Sequence, residues 1–590
     1  MNGLDLAVFA LYGLGLLAMS SVFVRRMKDS KDMFAAGGQS PWWVSGLSAF
    51  MTLFSAGTFV VWGGISFRYG VVGASILGAA GVGALLVGRF LASYWKGLGV
   101  ESATEFLDLR FGNSLVQFYT WLQGTVGIFG MGGAVYALAV IISALVPLPV
   151  DHFLANPETG HLSVTLTSLA ICLVVILITF GGGLWAVLMT DVLQFIILTV
   201  SVLAVVPMLF VHVGGVGAFV EATPDGFFFP AAAEYSLLFL AGWMIIHFFK
   251  VGGDWAFVQR HLCVPTGKDA RKSAYLFGGL LLVCPIFWML PPMIFRTIQP
   301  EANPEQAYIL ACQLVLPAGM MGLMIAAMCS ATASTATTQL NVYAGALTSE
   351  VYKRFWRPHA TERELVMAGR IITILLGLVV LAGAILIPLL GSYTGWVLAS
   401  TAILSGPLLL PTVWGLFSRK IGLGSAWAVT GLGVGAGVLA KFGLAADGPL
   451  DGLPVLGLVN EWANLNPHVT EIVIGLAVPI GILLALELTL KKTNRGWEAL
   501  MAVRTRRTEE RPLQPSTLPA RLCGSSVGMI GLLMAVLALM GSDQRLTLVI
   551  FSGVLLAISA AIFAVAREKK PTPAANAPTP APEPVAVERE

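Results

Sequence analysis

The chain has 590 residues, 56% of them apolar and only 11% charged, with a mean hydropathy of +0.82. That balance excludes an ordinary soluble globule, and the recurrence of long apolar runs excludes a merely peripheral protein. A net charge of +3 supplies no general basic field, so no nucleic-acid partner is expected. The six cysteines, Cys172, Cys263, Cys284, Cys312, Cys329 and Cys523, are scattered. They form no CxxC or Cys/His metal spacing and are expected to be buried thiols.

Taken in chain order, apolar segments fall at 4–24, 41–66, 70–95, 115–146, 162–185, 190–213, 235–256 and 274–296. They continue at 318–348, 364–389, 391–417, 421–443, 468–490, 519–541 and 545–566. Each is long enough to cross ~30 Å of hydrocarbon as a helix. The predicted fold class is therefore an all-α polytopic membrane protein of about fifteen transmembrane helices. The first span lacks the flanks of a secretory signal and is followed by RRMKDSK, Arg25 to Lys31. Most Lys and Arg lie in the alternate loops 25–40, 96–114, 251–273, 349–363, 418–420 and 491–518, whereas 147–161, 214–234 and 444–467 carry none. By the positive-inside rule the N-terminus faces outside and the C-terminus the cytoplasm, in a plasma (inner) membrane. The 491–518 loop, with RTRRTEER at Arg504 to Arg511, reads as a solvated or amphipathic connector open to lipid headgroups. Residues 567–590, rich in Pro and Ala, read as a disordered cytoplasmic tail.

Two spans carry interruptions. LSAFMTLFSAGTFVVWGG, Leu47 to Gly64, gathers Ser48, Thr52, Ser55, Gly57 and Thr58 near its middle, and the seventh span is broken at KVGGDW, Lys250 to Trp255. They open successive five-span groups, 41–213 and 235–417. An unwound turn frees carbonyls where water is absent, and lining an ion or solute cavity meets their need. Interruptions at matching positions in two halves point to an inverted-repeat transporter with its site near the midplane. Residues 1–40 would then be an extra N-terminal helix and cytoplasmic loop, and 418–566 additional C-terminal helices.

The ninth span contains SATASTATTQLN, Ser330 to Asn341, with six hydroxyls in the nine residues from Ser330 to Thr338. Ser334, Thr337 and Thr338 share a helical face, and Thr335 lies about 100° round from Ser334. Oxygens in a dry setting suit a hard cation. The same residues also suit close helix packing, with hydroxyls bonding back to their own helix. Asp191, in Thr190-Asp191, is an intramembrane acid, costly unless paired or solvated.

Several motifs occur in order: FSAGTF (Phe54 to Phe59) with Tyr69-Gly70, TEFLDLRFG (Thr104 to Gly112) and GGGLWAVLMTDVLQ (Gly181 to Gln194). GGDWAFVQR (Gly252 to Arg260) and SATASTATTQLN, followed by ALTSEVYKR (Ala346 to Arg354), complete the set. In this combination the chain resembles the sodium:solute symporter family over roughly residues 1–490. The resemblance implies a leucine-transporter-type, five-plus-five inverted-repeat core and alternating access driven by a sodium ion. It implies a main sodium site from the carbonyls of Met51, Phe54 and Ala331 with the hydroxyls of Ser334 and Thr335. A second sodium or proton site would join Asp191 to Ser334, Thr337 and Thr338.

The resemblance places the solute beside Ser55, Thr58, Trp62, His247 and Lys250, with Gln123, Trp243 and Trp396 as further candidates. His247 and Lys250 stand where sugar-transporting relatives have an amide and an aromatic, which leaves room for an anionic or amphoteric solute. Asp254, Gln259 and Arg260 are expected at a cytoplasmic gate or in maintenance of the fold, and Glu105 and Arg110 as a similar intracellular pair. The expected function is sodium-coupled import of a small polar organic solute across a lipid bilayer. A proton-coupled or exchange transporter of the same fold is the alternative, and a transporter-like sensor a more distant one. An enzyme is not expected, since the loops are short and carry no Walker A or HExxH motif.

Overall fold

The computed structural model describes residues 3–24, 38–157, 160–386, 393–444, 457–507, 518–539 and 545–565. The basic loop after the first span, the centre of the 444–467 loop, the end of RTRRTEER and the tail lie outside the described residues. Apart from one short antiparallel strand pair, Ala155–Asn156 with His161–Leu162, the regular structure described is helical.

The chain begins with α1 (Gly3–Val24), α2 (Trp42–Thr52), α3 (Ala56–Tyr69), α4 (Val72–Phe90), α5 (Ala92–Gly97), α6 (Ala103–Phe111) and α7 (Asn113–Leu145). It continues through α8 (Val164–His212), α9 (Val216–Ala222), α10 (Leu237–Gly253), α11 (Trp255–Leu262), α12 (Gly267–Trp288), α13 (Leu290–Ile298) and α14 (Ala307–Val315). After α15 (Met320–Leu347) comes a π-helical stretch, Thr348–Trp356, then α16 (Glu362–Leu386), α17 (Tyr393–Gly415) and α18 (Leu423–Val438). The last helices are α19 (Gly457–Leu465), α20 (Pro467–Thr489), α21 (Arg495–Arg507), α22 (Leu518–Leu539) and α23 (Arg545–Val565). Side-chain caps set several starts: Ser102 accepts from Glu105 N at 3.0 Å, Ser236 from Phe239 N at 3.2 Å and Thr266 from Asp269 N at 3.1 Å.

Among the described residues eleven helices are long and apolar enough to cross a membrane, and counting each of two bent helix pairs as one span gives up to thirteen. The expected spans at 4–24 and 162–185 coincide with α1, a helix of 22 residues, and with the first part of α8. The junction expected near 186–190 is no break, because α8 stays helical for 49 residues. Glycine in a helix interior costs only ~1 kcal/mol relative to alanine, and no proline stands between Gly181 and Gln194 to remove a helical hydrogen bond. The expected 491–518 connector contains a helix of its own, α21.

The helix that carries the hydroxyl run, α15, is buried on nearly every face, so it lies inside the bundle rather than at its lipid surface. α1, α7, α8 and α16 surround it. Its N-terminal end is held by an acid from the first helix: Asp5 Oδ1 accepts from Gly319 N at 2.7 Å and Gly322 N at 2.9 Å. A carboxylate at a helix N-terminus both satisfies free amides and opposes the helix dipole. The approach requires glycine at 322, where a Cβ would collide with the Asp5 backbone. Asp5→Ala is expected to lower stability by about 1–2 kcal/mol, as loss of a buried cap does. Thermal unfolding in detergent checks this, and Asp5→Asn should fall between the two.

Candidate functional site

α2 ends at Thr52 and α3 starts at Ala56, with a 63° bend between them. The carbonyls at the end of α2 and the first amides of α3 therefore lose their helical partners. Part of the repair is local. Ser55 N donates to Thr58 Oγ1 at 3.1 Å, and Thr58 Oγ1 donates to Leu53 O at 3.0 Å. The remainder comes from α15: Ala56 N donates to Thr332 Oγ1 at 2.8 Å, and Thr335 Oγ1 lies 2.7 Å from Phe54 O and 3.4 Å from Met51 O. Ala331 O, one turn back on α15, lies 3.0 Å from the same hydroxyl.

A threonine hydroxyl has one proton and can serve one of those three carbonyls at a time; Met51 O also accepts from Phe54 N at 3.0 Å, and each carbonyl oxygen has a second lone pair. The arrangement therefore gathers spare acceptor lone pairs in a dry place, since Met51, Phe54 and Ala331 are fully buried and Thr335 nearly so. Oxygens alone, from two helices and in excess over donors, are the donor set that a hard cation takes. Thr332 was absent from the sequence-based set, although it lies three residues before Thr335 on the same helix.

Ser334 turns the other way, its hydroxyl donating to Asp191 on α8, which also accepts from Ser48 on α2. Asp191 is fully buried, and Arg260 Nη2 stands 3.9 Å from its carboxylate. Arg260, buried as well, donates to Thr338 Oγ1 at 2.9 Å, Gln259 Oε1 at 2.9 Å and Ala256 O at 3.2 Å, and approaches Ser48 Oγ at 3.2 Å. Thr337 bonds back to Ser334 O at 2.9 Å. Of the residues expected with Asp191, Ser334 meets it, Thr338 reaches it through Arg260, and Thr337 serves its own helix. Arg260 thus lies in a buried cluster rather than in a solvated mouth. Arg110 donates to Gly415 O at 3.1 Å and Ser418 O at 2.7 Å, while Glu105 accepts from Glu101 N at 2.6 Å.

The second break lies at Asp254, where α10 meets α11 with a 55° bend and Asp254 Oδ1 accepts from Ala256 N at 2.9 Å. Between the two breaks is a cavity of about 300 Å³. Ser55, Thr58, Trp62, His247, Lys250 and Asp254 all line it, as do Gln123 and Trp243, and Thr335 is shared with the oxygen cluster. Trp396 carries a side chain outside the described residues. Gln339 and Tyr343 also line the cavity and were not expected. They follow Thr335 at i+4 and i+8, so the helical spacing applied downstream of the hydroxyl run would have found them. Ser400, Thr401 and Ser405 of α17 add hydroxyls with no comparable signal.

Removing one partner of a buried ion pair leaves the other charge uncompensated, at a cost of ~3–5 kcal/mol. Arg260→Gln should destabilise the protein by that order. The double variant Asp191→Asn/Arg260→Gln should recover part of the loss, read as a thermal-unfolding cycle.

Comparison with known proteins agrees with this architecture. The sodium/glucose cotransporter of Vibrio parahaemolyticus is 23% identical over 456 residues, covering 71% of this chain and 81% of that one. The sodium/sialic acid symporter of Aliivibrio fischeri is 25% identical over 511 residues, covering 82% and 88%. In fold, the chain matches a solved Na+-coupled sialic acid symporter in a substrate-bound outward-open state with a TM-score of 0.68. That match has 20% identity and covers 84% of this chain and 99% of the other. The sodium:solute symporter family profile matches residues 33–433, and the chain belongs to that family of sodium-coupled membrane transporters.

Proposed function

We propose that the protein imports a small polar organic solute together with sodium by alternating access. The carrying observation is the gathering of the Met51, Phe54 and Ala331 carbonyls on the Thr335 hydroxyl, at a helix break that also walls the cavity. Sodium would be held by the spare lone pairs of these carbonyls and of the Thr335 hydroxyl. Ser334 is adjacent, and a rotamer change from Asp191 towards the carbonyls would add its hydroxyl. The solute would occupy the 300 Å³ cavity, with Ser55, Thr58, Trp62, His247 and Lys250 in contact. Binding both at one pair of broken helices makes each favour the other's conformation, which is the requirement for coupling.

In this reading residues 41–213 and 235–417 form the two inverted repeats of a leucine-transporter-type core. Residues 1–40 and 418–566 add outer helices, for fifteen spans with the N-terminus outside and the C-terminus in the cytoplasm. Asp254 and Arg260 belong to the inner, closing half of the second broken helix. Asp191 with Ser334, Thr337 and Thr338 remains the candidate for a second cation. The Arg260 guanidinium beside Asp191 already supplies the positive charge such an ion would bring, which supports one sodium per cycle. At 100 mV one sodium contributes ~2.3 kcal/mol, and a tenfold gradient adds ~1.4 kcal/mol. That sustains accumulation of a neutral solute by several hundredfold, on the order of 10²–10³.

Uptake into proteoliposomes across a solute panel, with an inward sodium gradient against a potassium control, tests the reading. Uptake that follows a proton gradient and ignores sodium would favour the proton-coupled alternative. Removal of an oxygen ligand from a buried charge costs ~1.5–3 kcal/mol. Thr335→Ala should therefore raise half-saturating sodium by roughly 10- to 100-fold, with Ser334→Ala/Thr335→Ala at least as severe and Thr335→Ser mild. The ratio of labelled sodium to solute entering should stay at one in Asp191→Asn, and a fall from two in the parent would establish a second ion.

A further inference from the structure

The cavity between the two broken helices has chemistry that narrows the solute. α10 presents Trp243, His247 and Lys250 to it at i, i+4 and i+7, one stripe of the helix. Among the described residues the Lys250 ammonium makes no hydrogen bond and no ion pair. Asp254 acts on it electrostatically across the helix break without closing a contact. A lysine has three donors and no acceptor, and deep in a membrane protein such a cation is retained where it meets water, an acid or an anionic guest. Gln123 on α7 adds a second donor, since its amide nitrogen is buried in the same cavity lining with no partner.

His247 contributes the opposite polarity. Its Nδ1 lies 3.0 Å from Trp243 O, and a carbonyl can only accept, so Nδ1 carries the proton. In the neutral ring Nε2 is then an acceptor, and it has no hydrogen-bond partner among the described residues. Trp243 stacks obliquely over His247, with ring centroids 4.7 Å apart, and meets Trp62 edge-on at 5.8 Å, giving an aromatic wall.

Charge balance points the same way. Lys250 and Asp254 are the charged residues of the lining, one of each sign. Sodium bound at Thr335 adds a positive charge to a poorly solvated site. A neutral solute leaves that charge standing, whereas one carboxylate cancels it. A second carboxylate would meet Asp254 with no cation left to oppose it.

We propose that the transported solute is a monocarboxylate bearing a hydroxyl group near the carboxylate. Lys250 receives the carboxylate, His247 Nε2 accepts from the neighbouring donor, and the Trp62–Trp243 wall packs on the carbon skeleton. The inference rests on the symporter reading above, to which it adds the solute class.

The test uses the purified full chain in sodium chloride and in potassium chloride. Its probes are millimolar L-lactate and N-acetylneuraminate, set against D-glucose and myo-inositol. Thermal stabilisation is followed by uptake in proteoliposomes. One or more of the carboxylates should stabilise and be taken up, and the two neutral compounds should not. Lys250→Gln should weaken that carboxylate roughly 10- to 100-fold, the scale of a lost charge-assisted hydrogen bond. Lys250→Arg should keep most of the affinity, and Gln123→Leu should give a smaller loss. The proposal is overturned if glucose or myo-inositol is carried and no carboxylate is, if no carboxylate acts at all, or if Lys250→Gln leaves carboxylate affinity unchanged while the variant unfolds normally. A carboxylate that depends on Lys250 equally in sodium and potassium would leave this proposal standing and remove the sodium coupling instead.

Discussion

Everything at the centre of this protein depends on a helix that stops and restarts where little water can reach. Between Thr52 and Ala56 the backbone gives up its own hydrogen bonds, and each buried polar group left alone would cost several kcal/mol. The chain answers with hydroxyls: Thr58 from the same segment, and Thr332 and Thr335 from α15. Because hydroxyls both donate and accept, they can serve an amide and a carbonyl from one neighbouring helix. One Thr335 proton lies among three carbonyls, of which Met51 O also takes the Phe54 amide, and each carbonyl keeps a second lone pair. Those spare lone pairs are the basis of the proposed cation site.

The same helix collects the other constraints. α15 is capped at its N-terminal end by Asp5, tied to α8 through Ser334 and Asp191, and tied to α11 through Thr338 and Arg260. Any change in the relation of α2, α8 or α11 is therefore felt on α15, the helix that also contributes Thr335 to the cavity wall. α1, outside the expected core, takes part in this through a single buried acid.

Buried charge is expensive here, and the chain handles its two main instances differently. Asp191 and Arg260 compensate one another and are surrounded by hydroxyls, an amide and a carbonyl, so the cluster is closed. Such a pair gives little net stability over an apolar substitute but makes wrong arrangements costly. Lys250, in contrast, faces a cavity with no hydrogen bond or ion pair among the described residues. A closed pair reads as architecture and an open charge as a place for something that is not part of the chain.

Much of this was legible from one sequence. Apolar runs gave the membrane spans because a helix must satisfy its own backbone in lipid, and the glycine- and hydroxyl-rich segments at 47–64 and 250–255 marked both breaks. The hydroxyl run marked α15, and the resemblance supplied the carbonyl positions. Other features depend on which residues far apart in sequence become neighbours. Periodicity puts Ser334 and Thr335 on different faces, but only packing decides that one turns to Asp191 and the other to Phe54. Asp5 at the end of α15, Thr332 beneath Ala56 and Arg260 beside Asp191 are contacts across 314, 276 and 69 residues. No local pattern encodes them, because a side chain's spacing fixes its direction on its own helix and not the helix it will meet. The sequence by itself determined the kind of protein and where its backbone would break. The tertiary structure decided which oxygens are brought together, which charges cancel, and that Lys250 is left facing the cavity.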